Sequence, residues 1–205
     1  MRITLEKLGK RFNREWIFRN LDFTFEHGNT YTITGPNGSG KSTLLQILWG
    51  QLPQSTGLVK YELNGKDIPL PEIFRYLSIA TPYMDLIEEF TLIEMVKFHF
   101  RFKKIRDNLS IEDLINVMEL THASHKNISN FSSGMRQRLK LALAFYSNTN
   151  LIFLDEPLTN LDKKAAQWYW ENLLGLPKEC LIFIASNQEH EYPADSIKLD
   201  IMGYK

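Results

Sequence analysis

Eight consecutive residues constrain this chain more than any others: Gly35-Pro36-Asn37-Gly38-Ser39-Gly40-Lys41-Ser42. They fill the pattern G-x-x-x-x-G-K-[ST], in which glycines let the backbone turn tightly and aim successive N–H groups at a phosphate. Both flanks suit that purpose. Tyr31-Thr32-Ile33-Thr34 reads as a strand, and a helical run from Ser42 through Thr43 to Trp49 follows. The positive end of that helix favours an anion. Lys41 is placed to reach the β- and γ-phosphates of a nucleotide, and Ser42 offers Mg²⁺ a hard oxygen ligand. Strand, loop and helix in this order commit the chain to an α/β fold.

A second segment belongs with the first. Leu151-Ile152-Phe153-Leu154-Asp155-Glu156 is an unbroken apolar strand tipped by two acids. Such a strand is buried in a parallel sheet, and ligands gather at the carboxyl ends of those strands. Asp155 is then placed to hold Mg²⁺ through water, and Glu156 to polarise an attacking water. Taken alone, the segment reads equally well as a strand running into an acidic turn before Pro157. The phosphate loop decides between the two readings.

The remaining pattern is strands first, then helices, then alternation. Ile3, Leu5 and Lys7 alternate with polar neighbours, as do Leu21, Phe23 and Phe25. Turns are expected at His27-Gly28-Asn29 and Asn64-Gly65, with a strand from Gly57 to Leu63 between them. From about Thr91 to Ser147 the period is helical. Ile93, Val96, Lys97 and Phe100 trace one helix, Ser110 to Asp113 opens another as a capping box, and Met135, Leu139, Leu143 and Tyr146 trace a third. A helix from Lys163 to Leu174 and strands at Leu181–Ala185 and Ser196–Ile201 complete the chain. This predicts a single domain over residues 1–205 with a helical lobe at about 85–147.

Composition excludes more than it selects. Lys plus Arg and Asp plus Glu both number 24, so bulk charge argues for neither nucleic acid nor an acidic membrane surface. The single cysteine, Cys180, permits no internal disulfide and precedes an apolar run, which suits a core position in a reducing compartment. Met1 to Lys7 is charged and unlike a leader, and the apolar runs are far too short to span a bilayer. A cytoplasmic location is expected, with any membrane part supplied by another chain.

Phe131-Ser132-Ser133-Gly134-Met135, followed by Arg136-Gln137-Arg138-Leu139, resembles the Leu-Ser-Gly-Gly-Gln signature of ATP-binding cassette (ABC) proteins. It lies just upstream of the acid-tipped strand, as in that family, and Leu158-Thr159-Asn160-Leu161-Asp162 resembles the family's D-loop. The resemblance covers essentially the whole chain. It implies a P-loop NTPase fold of ABC type: a mixed-sheet core, an N-terminal antiparallel β subdomain and an inserted helical subdomain. It further implies ATP and Mg²⁺ as cofactors, and a homodimer or a paired ABC subunit. A separate membrane-spanning permease is implied too, which would put the chain on the inner face of the membrane. The activity implied is ATP hydrolysis powering a transporter through ATP-driven dimerisation. In that scheme the phosphate loop of one copy holds ATP, Ser132 and Gly134 of the other grip the γ-phosphate, and Asp162 links the two sites. A soluble switch of the same family, or a nucleotide-gated binding module with weak hydrolysis, stays open. A small-molecule P-loop kinase does not account for the signature.

Several positions depart from the family pattern. Ser133 and Met135 stand where the signature has glycine and glutamine. Ser78-Ile79-Ala80-Thr81-Pro82-Tyr83-Met84 contains no glutamine where the family usually carries one. Asn187 stands at the place of the family's switch histidine. It has a donor for a γ-phosphate but no positive charge, which predicts slow turnover. His190 reads as a surface histidine. Phe12, 23 residues before Gly35, matches the aromatic that stacks on adenine, with Trp16 as competitor. The run from His99 to Arg106 reads as a solvated helix end. Of Trp168-Tyr169-Trp170, one or two rings are expected in the core.

Overall fold

A computed structural model describes residues 1–205. In chain order its main elements are β1 (Arg2–Phe12), β2 (Glu15–Glu26), β3 (Thr30–Thr34), α1 (Lys41–Leu48), β4 (Thr56–Leu63), β5 (Lys66–Asp67) and β6 (Leu77–Ala80). Then come α2 (Leu92–His99), α3 (Ile111–Val117), α4 (Ser133–Phe145), β7 (Leu151–Asp155), α5 (Lys163–Leu174), β8 (Leu181–Ala185) and β9 (Ile197–Asp200). No helix is long and apolar enough to cross a membrane. The chain divides into two compact units. One comprises Met1–Leu77, Thr149–Glu156 and Pro177–Lys205, the other Ser78–Asn148 and Pro157–Leu176.

In the first unit the strands sort into sheets by their apolar pattern. The alternating strands form an antiparallel sheet in the order β2-β1-β4-β5, which buries one face and wets the other. Asn64 and Gly65 join β4 to β5 with φ of 52° and 75°, as a two-residue hairpin turn requires. The expected alternation fails at Lys7. That residue takes φ 47°, its N–H donates to Asp22 Oδ1 at 2.7 Å, and Leu8 turns inward instead. A bulge of this kind inserts an extra residue and keeps the ammonium in water.

The continuous apolar runs β7 and β8 lie in the second sheet, in which β7, β8, β3 and β9 pair in parallel in that order. Every residue of β7 and β8 is buried, which is why neither strand alternates. An aromatic column crosses from sheet to sheet. Phe25 meets Phe183 edge-on at 4.8 Å, Phe183 stacks on Phe153 at 4.8 Å, and Phe153 meets Trp49 at 5.6 Å. Each pair contributes about 0.5–1.5 kcal/mol beyond its buried area. Trp49 ends α1, so the column fixes the helix that follows the phosphate loop. Cys180 is buried, as expected, with its Sγ toward the Thr149 carbonyl.

The second unit is helical. Thr91 and Glu94 form a capping box on α2, and Ser110 and Asp113 form the expected one on α3. The Thr91 cap turns Leu92, Met95 and Val96 inward and leaves Lys97 exposed. The inward face is thus rotated from the one the sequence suggested. α4 is its centre, buried from Gln137 to Phe145 except at Lys140. Trp168 and Tyr169 of α5 are buried, and Trp170 is half-buried. The run from His99 to Arg106 is only partly solvated. Phe102 is exposed, but the buried Arg106 guanidinium donates to the Ser147 carbonyl at 3.1 Å, and His99 Nε2 lies 2.9 Å from Ser147 Oγ. Burial, helped by the nearby Lys103 charge, pushes His99 down to about 4.

Candidate functional site

The phosphate loop turns on three glycines. Gly35, Gly38 and Gly40 adopt φ of 141°, 76° and 106°. A Cβ on Gly40 would meet Ile17 Cγ2 at 2.4 Å, so space as well as backbone angle demands glycine there. Gly40 caps α1 without any side-chain bond, and the first turn carries no acid. The leading N–H groups of α1 are therefore left for an anion. Lys41 is buried, with its ammonium folded back to the Gly35 carbonyl at 2.9 Å and the Pro36 carbonyl at 3.3 Å. Ser39 is bonded through its backbone N–H to the Pro36 carbonyl at 3.1 Å. Ser42 and the half-buried Thr43 continue the helix. Sequence reasoning missed one contributor: Lys205 Nζ donates to the Ser39 carbonyl at 2.9 Å.

Asp155 ends β7 almost wholly buried, and its Oδ1 has no hydrogen-bond partner. Burial pushes its carboxyl up to about 6, against a hydrogen bond from the Ser42 hydroxyl that pulls the other way. The sequence assigned both residues to one metal, and the fold brings them into contact. Glu156 follows with φ 45°, a left-handed angle that costs a side-chain-bearing residue about 1–2 kcal/mol. Its N–H is held by the Ala185 carbonyl at 2.9 Å, one strand over.

The turn after β8 brings Asn187 to the same place. Its Nδ2 donates to Asn37 Oδ1 at 3.3 Å. His190 is exposed. Phe12, at the end of β1, is 48% exposed with Lys10 Nζ 4.9 Å from its ring centre. Trp16 is half-buried, packed close to Gly9 and with the Arg11 guanidinium 5.7 Å from its ring. Of the two aromatics, Phe12 is the more exposed.

In the second unit Ser132 caps α4, its Oγ accepting from the Met135 N–H at 3.2 Å. Ser133 is exposed and lies inside the helix, away from any left-handed angle, so its hydroxymethyl is accommodated. Gly134 is closely approached: a Cβ there would lie 3.0 Å from the Asn160 carbonyl, so that neighbour would have to give by a few tenths of an ångström. Asn160 itself takes φ 65° in the loop that ends at Asp162. The Asp162 carboxylate caps α5 by accepting from the Ala165 N–H at 2.8 Å. Two α4 residues hold neighbouring loops. Gln137 Nε2 donates to the Pro157 carbonyl at 2.9 Å, and Lys140 Nζ donates to the carbonyls of Thr81 and Pro82 at 3.2 and 3.0 Å. No motif in the sequence marks either residue, because their partners are backbone atoms.

A glycine loop opening an uncapped helix, beside a buried acid at the end of a parallel strand, is the geometry of a P-loop nucleotide-binding protein. The sequence model of the ABC transporter family matches residues 18–159, a span that takes in the loop, the Ser132 segment and the acid-tipped strand. The chain is 30% identical over 191 residues to an uncharacterized ABC transporter ATP-binding protein of Bacillus subtilis, covering 92% of this chain and 86% of that one. It is 32% identical over 164 residues to a cytochrome c biogenesis ATP-binding export protein of Mesorhizobium japonicum, covering 80% of each. Its fold is similar to that of a putative ABC transporter ATP-binding protein from Pyrococcus furiosus. There the TM-score is 0.81 at 19% identity, over 100% of this chain and 99% of the other. A bacterial ABC transporter cassette solved as a dimer gives 0.79 at 20% identity, over 97% and 94%. This chain belongs to the ABC transporter family.

Proposed function

We propose that this chain is the ATP-binding and ATP-hydrolysing subunit of a transporter. It is cytoplasmic and peripheral on the inner face of the membrane, and it works on a separate membrane-spanning permease. It closes on ATP as a homodimer or with a paired cassette subunit, its two units acting as one ATPase domain. The observation that carries this reading is Asp155: a carboxyl buried at the tip of β7, one oxygen without a partner, hydrogen-bonded to Ser42 of the phosphate-loop helix. A buried carboxyl left in that state needs a cation to make its charge tolerable.

The residues present fit Mg²⁺. Ser42 and Asp155 supply hard oxygen donors and leave the remaining positions to water and phosphate, as that ion prefers. When bound, the ion neutralises charge on the β- and γ-phosphates. The chain's own groups do the rest. Gly35 to Gly40 direct backbone N–H groups at the phosphates, with Pro36, Asn37 and Ser39 shaping the turn. Lys41 transfers its ammonium from the loop carbonyls to the nucleotide, and Thr43 extends the phosphate contacts. Glu156 orients the attacking water and accepts its proton. Asn187 donates its amide to the γ-phosphate without adding charge. Phe12 stacks on the adenine. Ser132 and Gly134 of the paired copy cover the γ-phosphate with the positive end of α4.

A steady-state ATPase assay of the purified chain, with Glu156→Gln as the blank, tests this. Hydrolysis well above the blank, rising with protein concentration as pairs form, is the expected result. Hydrolysis no faster than the blank, with ATP still bound, would instead favour a nucleotide-gated module. The neutral Asn187 is the observation that keeps this second reading open.

A further inference from the structure

Asn187 is exposed, yet the turn that carries it is built on buried polar groups. Ser186 and Glu191 are both almost fully buried. The Ser186 hydroxyl donates to Glu191 Oε2 at 2.5 Å and accepts from the Gln188 N–H at 2.9 Å. Its backbone N–H is tied to the Ile33 carbonyl of β3 at 3.2 Å. The Glu191 N–H closes the turn on the Gln188 carbonyl at 3.0 Å. The hydroxyl has only one proton. Giving it to a carboxylate leaves the oxygen's lone pairs for Gln188, which is the bond that arches the chain over Asn187. Burying a carboxyl group is costly unless it is hydrogen-bonded, and the Ser186 hydroxyl supplies such a bond. A neutral amide side chain has less reach and no charge of its own. Its value at a phosphate therefore depends on being held at the right place.

We propose that Glu191 is a positioning residue for hydrolysis: through the Ser186 hydroxyl it fixes the turn that presents Asn187 to the phosphate loop. The proposal rests on the reading that Asn187 acts on the γ-phosphate. Glu191 is almost fully buried, and its carboxyl meets the turn at the Ser186 hydroxyl. Its effect passes through two hydrogen bonds and ends at the Asn187 amide, which the free protein keeps against Asn37.

The test uses the purified full-length chain with Glu191→Gln, Ser186→Ala, Ser186→Thr, Asn187→Ala and the double variant Glu191→Gln/Asn187→Ala. The readouts are kcat, KM, binding of a fluorescent ATP analogue and the melting temperature. Glu191→Gln and Ser186→Ala are expected to lower kcat about three- to tenfold while nucleotide binding changes less than about twofold. Ser186→Thr, which keeps the hydroxyl, recovers most of the rate. The double variant is no slower than Asn187→Ala alone, because both changes remove one function. If the two losses multiply, or if Glu191→Gln shifts only the melting temperature, the positioning role is overturned. Asn187→Ala with unchanged kcat would overturn the reading beneath it, and this proposal with it. Asn187→Ala slow and Glu191→Gln fully active would overturn the proposal alone.

Discussion

Asn187 Nδ2 lies 3.3 Å from Asn37 Oδ1, joining the turn after β8 to the phosphate loop across 150 residues of chain. Both side chains are exposed and neutral. On the proposed role of Asn187, this bond opens for a γ-phosphate to take Asn37's place as acceptor, and the incoming bond lacks the help of a formal charge. Asn187→His is therefore expected to raise kcat about five- to tenfold, equal to about 1–1.4 kcal/mol of barrier. Steady-state ATPase assays of the two proteins check this. An unchanged or lower rate would show that the amide does not limit turnover.

Two buried groups give the metal-free protein opposing responses to acid. Asp155 is pushed up from 3.8 to about 6 by burial. Its raised value means the folded chain holds a proton the unfolded chain has lost. Its contribution is present below about pH 3.8 and lost as pH rises through about 6. The gap is worth about 3 kcal/mol. His99 is pushed down from 6.5 to about 4. Its contribution is present above about pH 6.5 and lost as pH falls through about 4. Wild-type stability should change little between these limits. Asp155→Asn, by removing the first term, should melt higher than wild type at pH 7.5 and lose that advantage by pH 4. Mg²⁺ with ATP should erase the difference in favour of wild type. Melting curves at four or five pH values decide it.

The tip of α4 separates stability from function. Ser132→Ala loses the cap to Met135, which costs about 1 kcal/mol. If Ser132 also grips phosphate, ATPase activity should fall at least about tenfold, far more than a loss of that size in stability explains at a temperature where the variant is folded. Gly134→Ala acts differently. Its new methyl meets the Asn160 carbonyl at 3.0 Å, so the loop and the α4 tip must part by a few tenths of an ångström, at a cost of about 1 kcal/mol. Paired melting and activity measurements distinguish the two. An activity loss in Ser132→Ala no larger than its loss of stability explains would deny Ser132 a role beyond the cap.

Lys140 ties α4 to the loop after β6. The loop, which has no glutamine between Ser78 and Met84, is held by one ammonium on two carbonyls. Lys140→Met should leave α4 intact, since both residues are good helix formers. Amide exchange at Thr81 to Leu86 should rise about tenfold, as expected for losing about 1–1.5 kcal/mol of local stability. Exchange unchanged there, measured by mass spectrometry of the free protein, would show that the loop is held by other contacts.

Much of this molecule was written in short range. The glycine loop, the acid-tipped strand, the Ser110 capping box and the Asn64-Gly65 turn depend on neighbours within a few residues, so type and spacing alone announce them. The buried parallel strands were legible for a related reason: strands covered on both faces cannot alternate.

What the chain alone did not show depends on partners far off in sequence. Lys7 looked like the third member of an alternating strand until Asp22 captured its N–H and bulged it outward. Arg106 looked solvated until the Ser147 carbonyl took its guanidinium. Glu191, Gln137, Lys140 and Lys205 act on hydroxyls and backbone carbonyls, which every sequence supplies in abundance and none labels. A motif records which atoms must lie close along the backbone. Only packing decides which distant carbonyl a buried polar side chain finds, because it must find one to be buried at all.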